Sequence, residues 1–309
     1  MCEFVHSPVM VAEVLAALRP KPGGTYADGT VGGGGHAAAI LKASGPTGKL
    51  LGCDRDGDAV EAARRRLAEF GDRCELRRGN FDALAEWIVA GSCDGVLLDL
   101  GVSSPQLERA ERGFSFQQEG PLDMRMDARQ ELTAARLVNE AGVEELARIF
   151  RDLGGEREAH QLARVIERER QVRRFESTRQ LAGLLERLRP RAGQRIHPAT
   201  RVFQALRMMV NDELGSLRRG LAAAMSVLGS GGRLAVITFH SAEDRVVKEF
   251  GREWSRDYAV AGGVDVPELR QPRPPKLRWV PRKAVQPSAA EMAANPRSRS
   301  AQLRVFEKI

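Results

Sequence analysis

The sequence predicts an α/β protein: a mostly parallel sheet with helices on both faces, interrupted by an inserted all-α domain. Three observations predict it. Short apolar runs of strand type alternate with helical stretches through roughly the first hundred residues, which implies crossover connections between parallel strands. Four consecutive glycines, Gly32 to Gly35, join the first of these runs to the helix that follows it. After Leu100, roughly ninety residues pass without a strand-like segment before strand patterning returns.

The first predicted strand, 25–28, ends at Asp28 because Gly29 and the glycine run cannot sustain a pleated segment. A helix is expected over 37–42, a second strand over 49–54, a helix over 58–70, and further strands over 74–78 and 95–100. Ligands of such sheets lie beyond the carboxyl ends of the strands, and Asp28, Asp54, Phe81 and Asp99 all fall there. A loop rich in Gly, Ser and Pro (101–105) and a charged segment (109–127) then lead into helices expected over 133–140, 143–151, 156–170 and 177–188. Residues 108–197 are accordingly expected to form a helical domain inserted between 1–107 and 198–309. One long amphipathic helix is expected next, with Phe203, Leu206, Val210, Leu214, Leu217 and Leu221 on a single face. Gly231 and Gly232 turn into a strand over 233–239, and His240, Ser241, Glu243, Asp244 and Arg245 follow at its carboxyl end. Leu303, Val305 and Phe306 alternate with polar residues, as in a strand returning to a sheet edge.

With 309 residues and 42% apolar content, the chain can bury one large core and a smaller one. No run approaches the roughly eighteen apolar residues of a membrane span, and the N-terminus lacks a signal-peptide pattern, so a soluble cytoplasmic protein is expected. Cys2, Cys53, Cys74 and Cys93 lack C-x-x-C spacing and read as buried free thiols; neither a metal site nor a disulfide framework is indicated. The net charge of +7 is concentrated at one end: ten basic residues stand against Glu291 and Glu307 between Arg270 and Ile309. Interspersed with prolines and carrying Trp279, this tail reads either as an extended arm tracking phosphates, with a stacking platform, or as a solubilising segment. The arginines of the third inserted helix (Arg164, Arg168, Arg170, with Arg173 and Arg174) offer a similar choice between an RNA surface and a solvated face.

Nine residues carry the most chemistry: Asp28-Gly29-Thr30-Val31-Gly32-Gly33-Gly34-Gly35-His36. Bare backbone at this turn lets a nucleotide-type ligand lie where any Cβ would collide. Gly33, Gly35 and Ala38 also satisfy the G-x-G-x-x-G/A dinucleotide pattern, so a nicotinamide cofactor and S-adenosylmethionine both fit the loop. The first would set its pyrophosphate on the helix N-terminus. The second carries an ammonium and a sulfonium, which an acid such as Asp28 suits better. For either, Asp54 is placed to accept hydrogen bonds from ribose hydroxyls. His240 could take a proton near neutral pH or simply hold its loop. Ser103 and Ser104 could form a nucleophilic site if a histidine approached, or offer hydroxyls and neighbouring carbonyls to a base edge. Phe114 and Phe116 could stack on a base or anchor the inserted domain, and the acids and arginine of 122–127 suggest an ion-paired lid.

Several strings are long and compositionally odd: His6-Ser7-Pro8-Val9, Asp28 to His36, Asp99-Leu100-Gly101-Val102-Ser103-Ser104-Pro105-Gln106, Arg112 to Phe116, Gly120 to Asp127, His197 to Ala205, His240 to Lys248 and Asn295 to Arg304. In kind and order they resemble the bacterial family of small-subunit (16S) ribosomal RNA cytosine-N4 methyltransferases. The resemblance implies a class I, Rossmann-like S-adenosylmethionine fold and methylation of the exocyclic amine of one cytidine in the decoding region, with 16S rRNA in the small subunit as partner. It further implies that Gly34, Gly35 and His36 contact the methionine part of the cofactor, Asp54 the ribose and Phe81 the adenine, with Asp99 and Gln106 near the transferred methyl. Asp99 is the expected acceptor for the N4 hydrogen bond, with carbonyls around 102–105 beside it. Ala242 and Gly155 depart from the family's pattern as leucine and an acid, respectively.

Overall fold

The computed structural model describes residues 8–189, 197–260 and 265–309. His6 and Ser7 of the first string, and Cys2, lie outside the described residues. The chain forms two compact units, Met1–Gly101 with Leu214–Ile309, and Val102–Glu213.

The first unit is built on a seven-stranded sheet. Its strands are β1 (Thr25–Asp28), β2 (Lys49–Asp54), β3 (Cys74–Arg78), β4 (Cys93–Asp99), β5 (Leu228–Thr238), β8 (Leu277–Trp279) and β9 (Gln302–Lys308), in the order β3-β2-β1-β4-β5-β9-β8. The first five are parallel, and β9 runs antiparallel to both β5 and β8. The closing strand therefore lies inside the sheet, and the short β8 takes the edge. β6 (Tyr258–Val260) and β7 (Arg270–Pro272) form a separate two-stranded ribbon.

Apolar residues on both faces of the strands explain the double layer. On one face Leu97, Ala235, Ile237 and Leu303 pack with residues of α1 (Val11–Leu18), α2 (Gly35–Ala43) and α3 (Gly57–Leu67). On the other, Val96, Leu98, Leu234 and Val236 pack with Leu217 and Leu221 of α10 (Glu213–Val227) and with Val246 and Val247 of α11 (Ser241–Trp254). Among the described residues no helix is long and apolar enough to cross a membrane.

The second unit contains α4 (Ser104–Glu108), α5 (Ala134–Glu140), α6 (Val143–Asp152), α7 (Ala159–Val172), α8 (Thr178–Leu188) and α9 (Ala199–Val210). Its core joins Leu146 and Phe150 of α6, Leu162 and Ile166 of α7, and Leu181 and Leu185 of α8 to Val202, Phe203 and Leu206 of α9. The expected bounds of 108 and 197 thus fall inside this unit, and α9 packs in its helical core. The single long helix expected here is two, broken where Asp212 adopts φ 45°. Apolar spacing continues across that break, which hides it from periodicity.

Asn211 gives the break a purpose. Its side chain is buried, donates to Met124 O at 2.8 Å and accepts from Met126 N at 2.8 Å. Ion pairs Asp123–Arg125 and Asp127–Arg129, both 2.7 Å, and Arg112 bonding to the Arg125 and Met126 carbonyls complete a strap over 122–127. The expected ion pairs are present, and Asn211 fixes the segment to the helical core. Asn211→Ala is expected to cost about 1–3 kcal/mol, because it orphans backbone groups that water reaches poorly. A denaturant midpoint equal to wild type would show instead that the ion pairs alone hold the strap.

Phe116 stacks on His197 with ring centroids 4.4 Å apart and meets Phe203 edge-on at 5.1 Å, so it anchors the helical unit. Phe114 is buried with the Arg112 guanidinium 5.8 Å from its ring centroid. Arg170 is also structural, donating to Val138 O and Ala141 O, whereas Arg164, Arg168 and Arg173 are exposed. Gly155 has φ 62°, and Glu156 N reaches back to Phe150 O, so this glycine stops α6 in a left-handed turn that an acid would strain.

Candidate active site

The strand order places Asp54, Asp28 and Asp99 at the carboxyl ends of three neighbouring strands, β2, β1 and β4 respectively. Asp28 is fully buried. Its Oδ1 accepts from Thr30 N at 3.1 Å and from the Thr30 hydroxyl at 3.4 Å, while its buried Oδ2 has no partner among the described residues. Burial pushes this carboxyl up to about 6, reinforced by the nearby Asp99 and Asp54 and opposed by His36 and the Thr30 amide. An acidic oxygen kept dry and unbonded is an acceptor waiting for a donor, preferably a cationic one.

Thr30 was not among the residues singled out from the sequence. Its hydroxyl donates to Asp28 and accepts from Asp99 N at 2.7 Å, so one side chain ties the end of β1 to the end of β4. Nothing in residue type or spacing marks that role except its place in Asp28-Gly29-Thr30.

Asp54 fastens the glycine loop. Its Oδ2 accepts from Gly32 N and its Oδ1 from Asp56 N, both at 2.9 Å, and Val31 N bonds to Cys53 O. Burial pushes Asp54 to about 6 against the pull of those two amides. Each oxygen keeps a lone pair for a further donor. Gly32 at φ 50° and Gly34 at φ 78° make the left-handed turn into α2, and a Cβ on Gly35 would come within 2.7 Å of Pro8. Glycine is therefore required partly by the protein's own packing. Gly33 is buried between them.

His36, the second residue of α2, is buried and donates from Nε2 to Val9 O at 2.8 Å. That bond turns Nδ1 toward Asp99, 3.8 Å from Oδ2. Asp99 Oδ1 accepts from Gly101 N at 3.3 Å. Phe81 is buried, and a Cβ on Gly220 would lie 2.2 Å from its ring, so it forms a packed wall and not a free platform.

Ser103, Ser104 and Gln106 open the second unit. Ser103 and Gln106 cap α4 reciprocally: Ser103 Oγ accepts from Gln106 N at 3.4 Å, and Gln106 Oε1 accepts from Ser103 N at 3.0 Å. This assigns Ser103 a cap where a nucleophile was considered, and the S-x-x-Q spacing already carried that signal. His240 likewise caps α11, its Nδ1 accepting from Glu243 N at 3.5 Å while Glu243 Oε2 accepts from Phe239 N at 2.8 Å. Its Nε2 lies 3.0 Å from Glu243 Oε1 but lacks hydrogen-bond alignment. The loop-holding alternative fits these contacts.

Trp279 is no exposed stacking platform. It belongs to the edge strand β8, packs edge-on against Phe306 at 4.7 Å and donates from Nε1 to Ser255 Oγ at 3.1 Å. Much of the basic tail is thus folded into the sheet domain.

Comparison with known proteins adds the sequence relationship. Residues 3–309 match the family described as the MraW methylase family. The chain is 53% identical to "Ribosomal RNA small subunit methyltransferase H" of Syntrophotalea carbinolica, covering 99% of this chain and 98% of that protein. It is 50% identical to the protein of the same name from Symbiobacterium thermophilum, covering 99% and 97%.

Proposed function

Since this chain belongs to the MraW methylase family, we propose that it transfers a methyl group from S-adenosylmethionine to N4 of one cytidine in the decoding region of 16S rRNA. The observation that carries this is the end-to-end identity with a small-subunit rRNA methyltransferase, 53% over 99% of the chain. The site agrees chemically. A buried carboxylate oxygen without a partner, beside the glycine loop, suits the ammonium of S-adenosylmethionine and repels a pyrophosphate. This removes the reason to prefer a nicotinamide cofactor.

When bound, S-adenosylmethionine supplies a methyl on a positively charged sulfur, which leaves as a neutral thioether. Asp28 holds the ammonium, the turn Gly33–His36 accommodates the methionine part, the spare lone pairs of Asp54 take ribose hydroxyls, and Phe81 walls the adenine. Asp99 accepts a hydrogen bond from the cytosine N4 amine, drawing its lone pair out of the ring, and takes the proton that N4 must shed once methylated. Orientation of the two reactants contributes about 7–11 kcal/mol when contact geometry is enforced. Exposed Arg164, Arg168 and Arg173 of the inserted unit contact RNA.

The test is transfer of labelled methyl from S-adenosylmethionine to unmodified small subunits, followed by mass spectrometry of the nucleosides. N4-methylcytidine at one site is expected. No transfer by a protein that binds the cofactor would refute the substrate assignment.

A further inference from the structure

The geometry points to a second binding site in the first unit, a groove of about 630 Å³ walled by α11, β8 and β9 that takes the phosphate backbone of the RNA substrate. It rests on the rRNA-methyltransferase function proposed above, and it shares no residue with the carboxylate site.

Six cationic side chains line it: Lys248 and Arg252 from α11, Arg256 just beyond the end of that helix, Arg278 from β8, Arg282 just beyond β8, and Arg304 from β9. Lys248 and Arg252 stand four residues apart and so share one face of the helix, and Arg256 continues the row past its end. Like charges four residues apart on a helix repel, and an anion lying along this row relieves that repulsion.

Carboxylates answer part of this charge from behind. Asp244 pairs with Arg304 at 2.5 Å and with Lys248 at 3.0 Å, Glu307 pairs with Arg278, and Asp265 pairs with Arg256 at 3.3 Å. These contacts hold the cations in place at the wall. Arg252 and Arg282 are exposed and have no ion pair among the described residues, so their guanidinium groups add uncompensated positive charge at the rim.

The groove's chemistry selects phosphate over bases. Trp279 lines it, with the Arg304 guanidinium 5.9 Å from its ring centroid and Phe306 packed edge-on against it, so its indole is already engaged within the protein. Arginine forks match phosphate oxygens bidentately. A stripe of such groups follows a sugar-phosphate chain without reading its sequence, which is the task of a site that positions a substrate whose reacting base is bound elsewhere.

The test compares wild type, Arg252→Gln with Arg282→Gln, and a charge-matched control, Arg65→Gln with Arg66→Gln, which neutralises two exposed arginines of α3. Binding of unmodified small subunits is measured against salt, together with methyl-transfer kinetics and S-adenosylmethionine affinity. Losing two phosphate contacts is expected to flatten the slope of log K against log salt by about 1.4 for single-stranded RNA, or about 1.8 for duplex. KM for the subunits should rise on the order of tenfold near physiological salt, with cofactor affinity held and the control unaltered. A slope equal to wild type, or one that falls equally in the control, overturns the groove while leaving the methyltransferase function standing. Absence of rRNA methylation by wild type itself overturns both.

Discussion

Asp28→Asn is expected to stabilise the free protein above pH 6 and to lose most of its affinity for S-adenosylmethionine. In the free protein, burial raises this carboxyl to about 6 from 3.8. A group whose pKa is higher folded than unfolded holds extra protons in the folded state, so it favours folding below the unfolded value and loses that contribution as pH rises through the folded one. Ionised Asp28 therefore burdens the fold fully above pH 6, by about 3 kcal/mol as an upper estimate, and the burden shrinks between pH 6 and pH 3.8. Asparagine keeps the acceptor facing Thr30 and removes the buried charge. The melting temperature of the variant should exceed wild type at pH 8, and the gap should narrow by pH 5. Cofactor binding should move the other way, weakening at least a hundredfold at pH 8, because the ammonium loses its anionic partner. Wild-type affinity should itself fall as pH drops through 6, steeply if Asp54, also raised to about 6 by burial, loses its charge over the same interval. Equal cofactor affinities for the two proteins at pH 8 would show that Oδ2 has no part in holding the ligand.

This trade between stability and binding bears on how much of the site was legible in the sequence. The three acids and the glycine loop could be placed because each sits where a strand ends, and strand ends follow from apolar runs. Hydrogen bonds that cross between strand ends leave no such trace. Thr30 is the clearest case: its hydroxyl joins Asp28 to Asp99, yet its sequence context is an ordinary turn. His36 is legible as the residue after the glycines, but its orientation toward Asp99 depends on the backbone carbonyl of distant Val9.

Elsewhere the limits were physical in other ways. Apolar spacing runs unbroken through 203–221, so only the left-handed backbone at Asp212 divides α9 from α10, and Asn-Asp is one of the few residue pairs that tolerate such a turn. The charge of the tail was plain, but β8 is three residues long and too short to announce itself. Its burial against Phe306 turns Trp279 from a platform into a wall. Gly155, a departure when read as a missing acid, is a helix stop when read as a backbone angle.

Asp99→Ala should lower turnover by about 10³-fold, or roughly 4 kcal/mol of transition-state stabilisation, with S-adenosylmethionine affinity changed only a few-fold. Cytosine N4 is a weak nucleophile because its lone pair is delocalised into the ring, and an anionic acceptor on an N4 hydrogen opposes that delocalisation. The same carboxylate must accept a proton afterwards, since N4 gains a bond to carbon and must return to a neutral amine. The surroundings fit both tasks. Gly101 N bonds to Oδ1, and Thr30 holds the Asp99 amide, so the carboxylate is oriented before the substrate arrives. His36 completes the arrangement: with Nε2 committed to Val9 O, its remaining ring nitrogen faces Oδ2 at 3.8 Å. Asp99→Asn separates the two tasks. It retains a carbonyl acceptor but cannot take the proton, so it should be as slow as alanine if proton removal dominates and distinctly faster if acceptance from N4 dominates. Substrate and cofactor binding should survive either change. Turnover within a few-fold of wild type in both variants would move the chemistry to another residue.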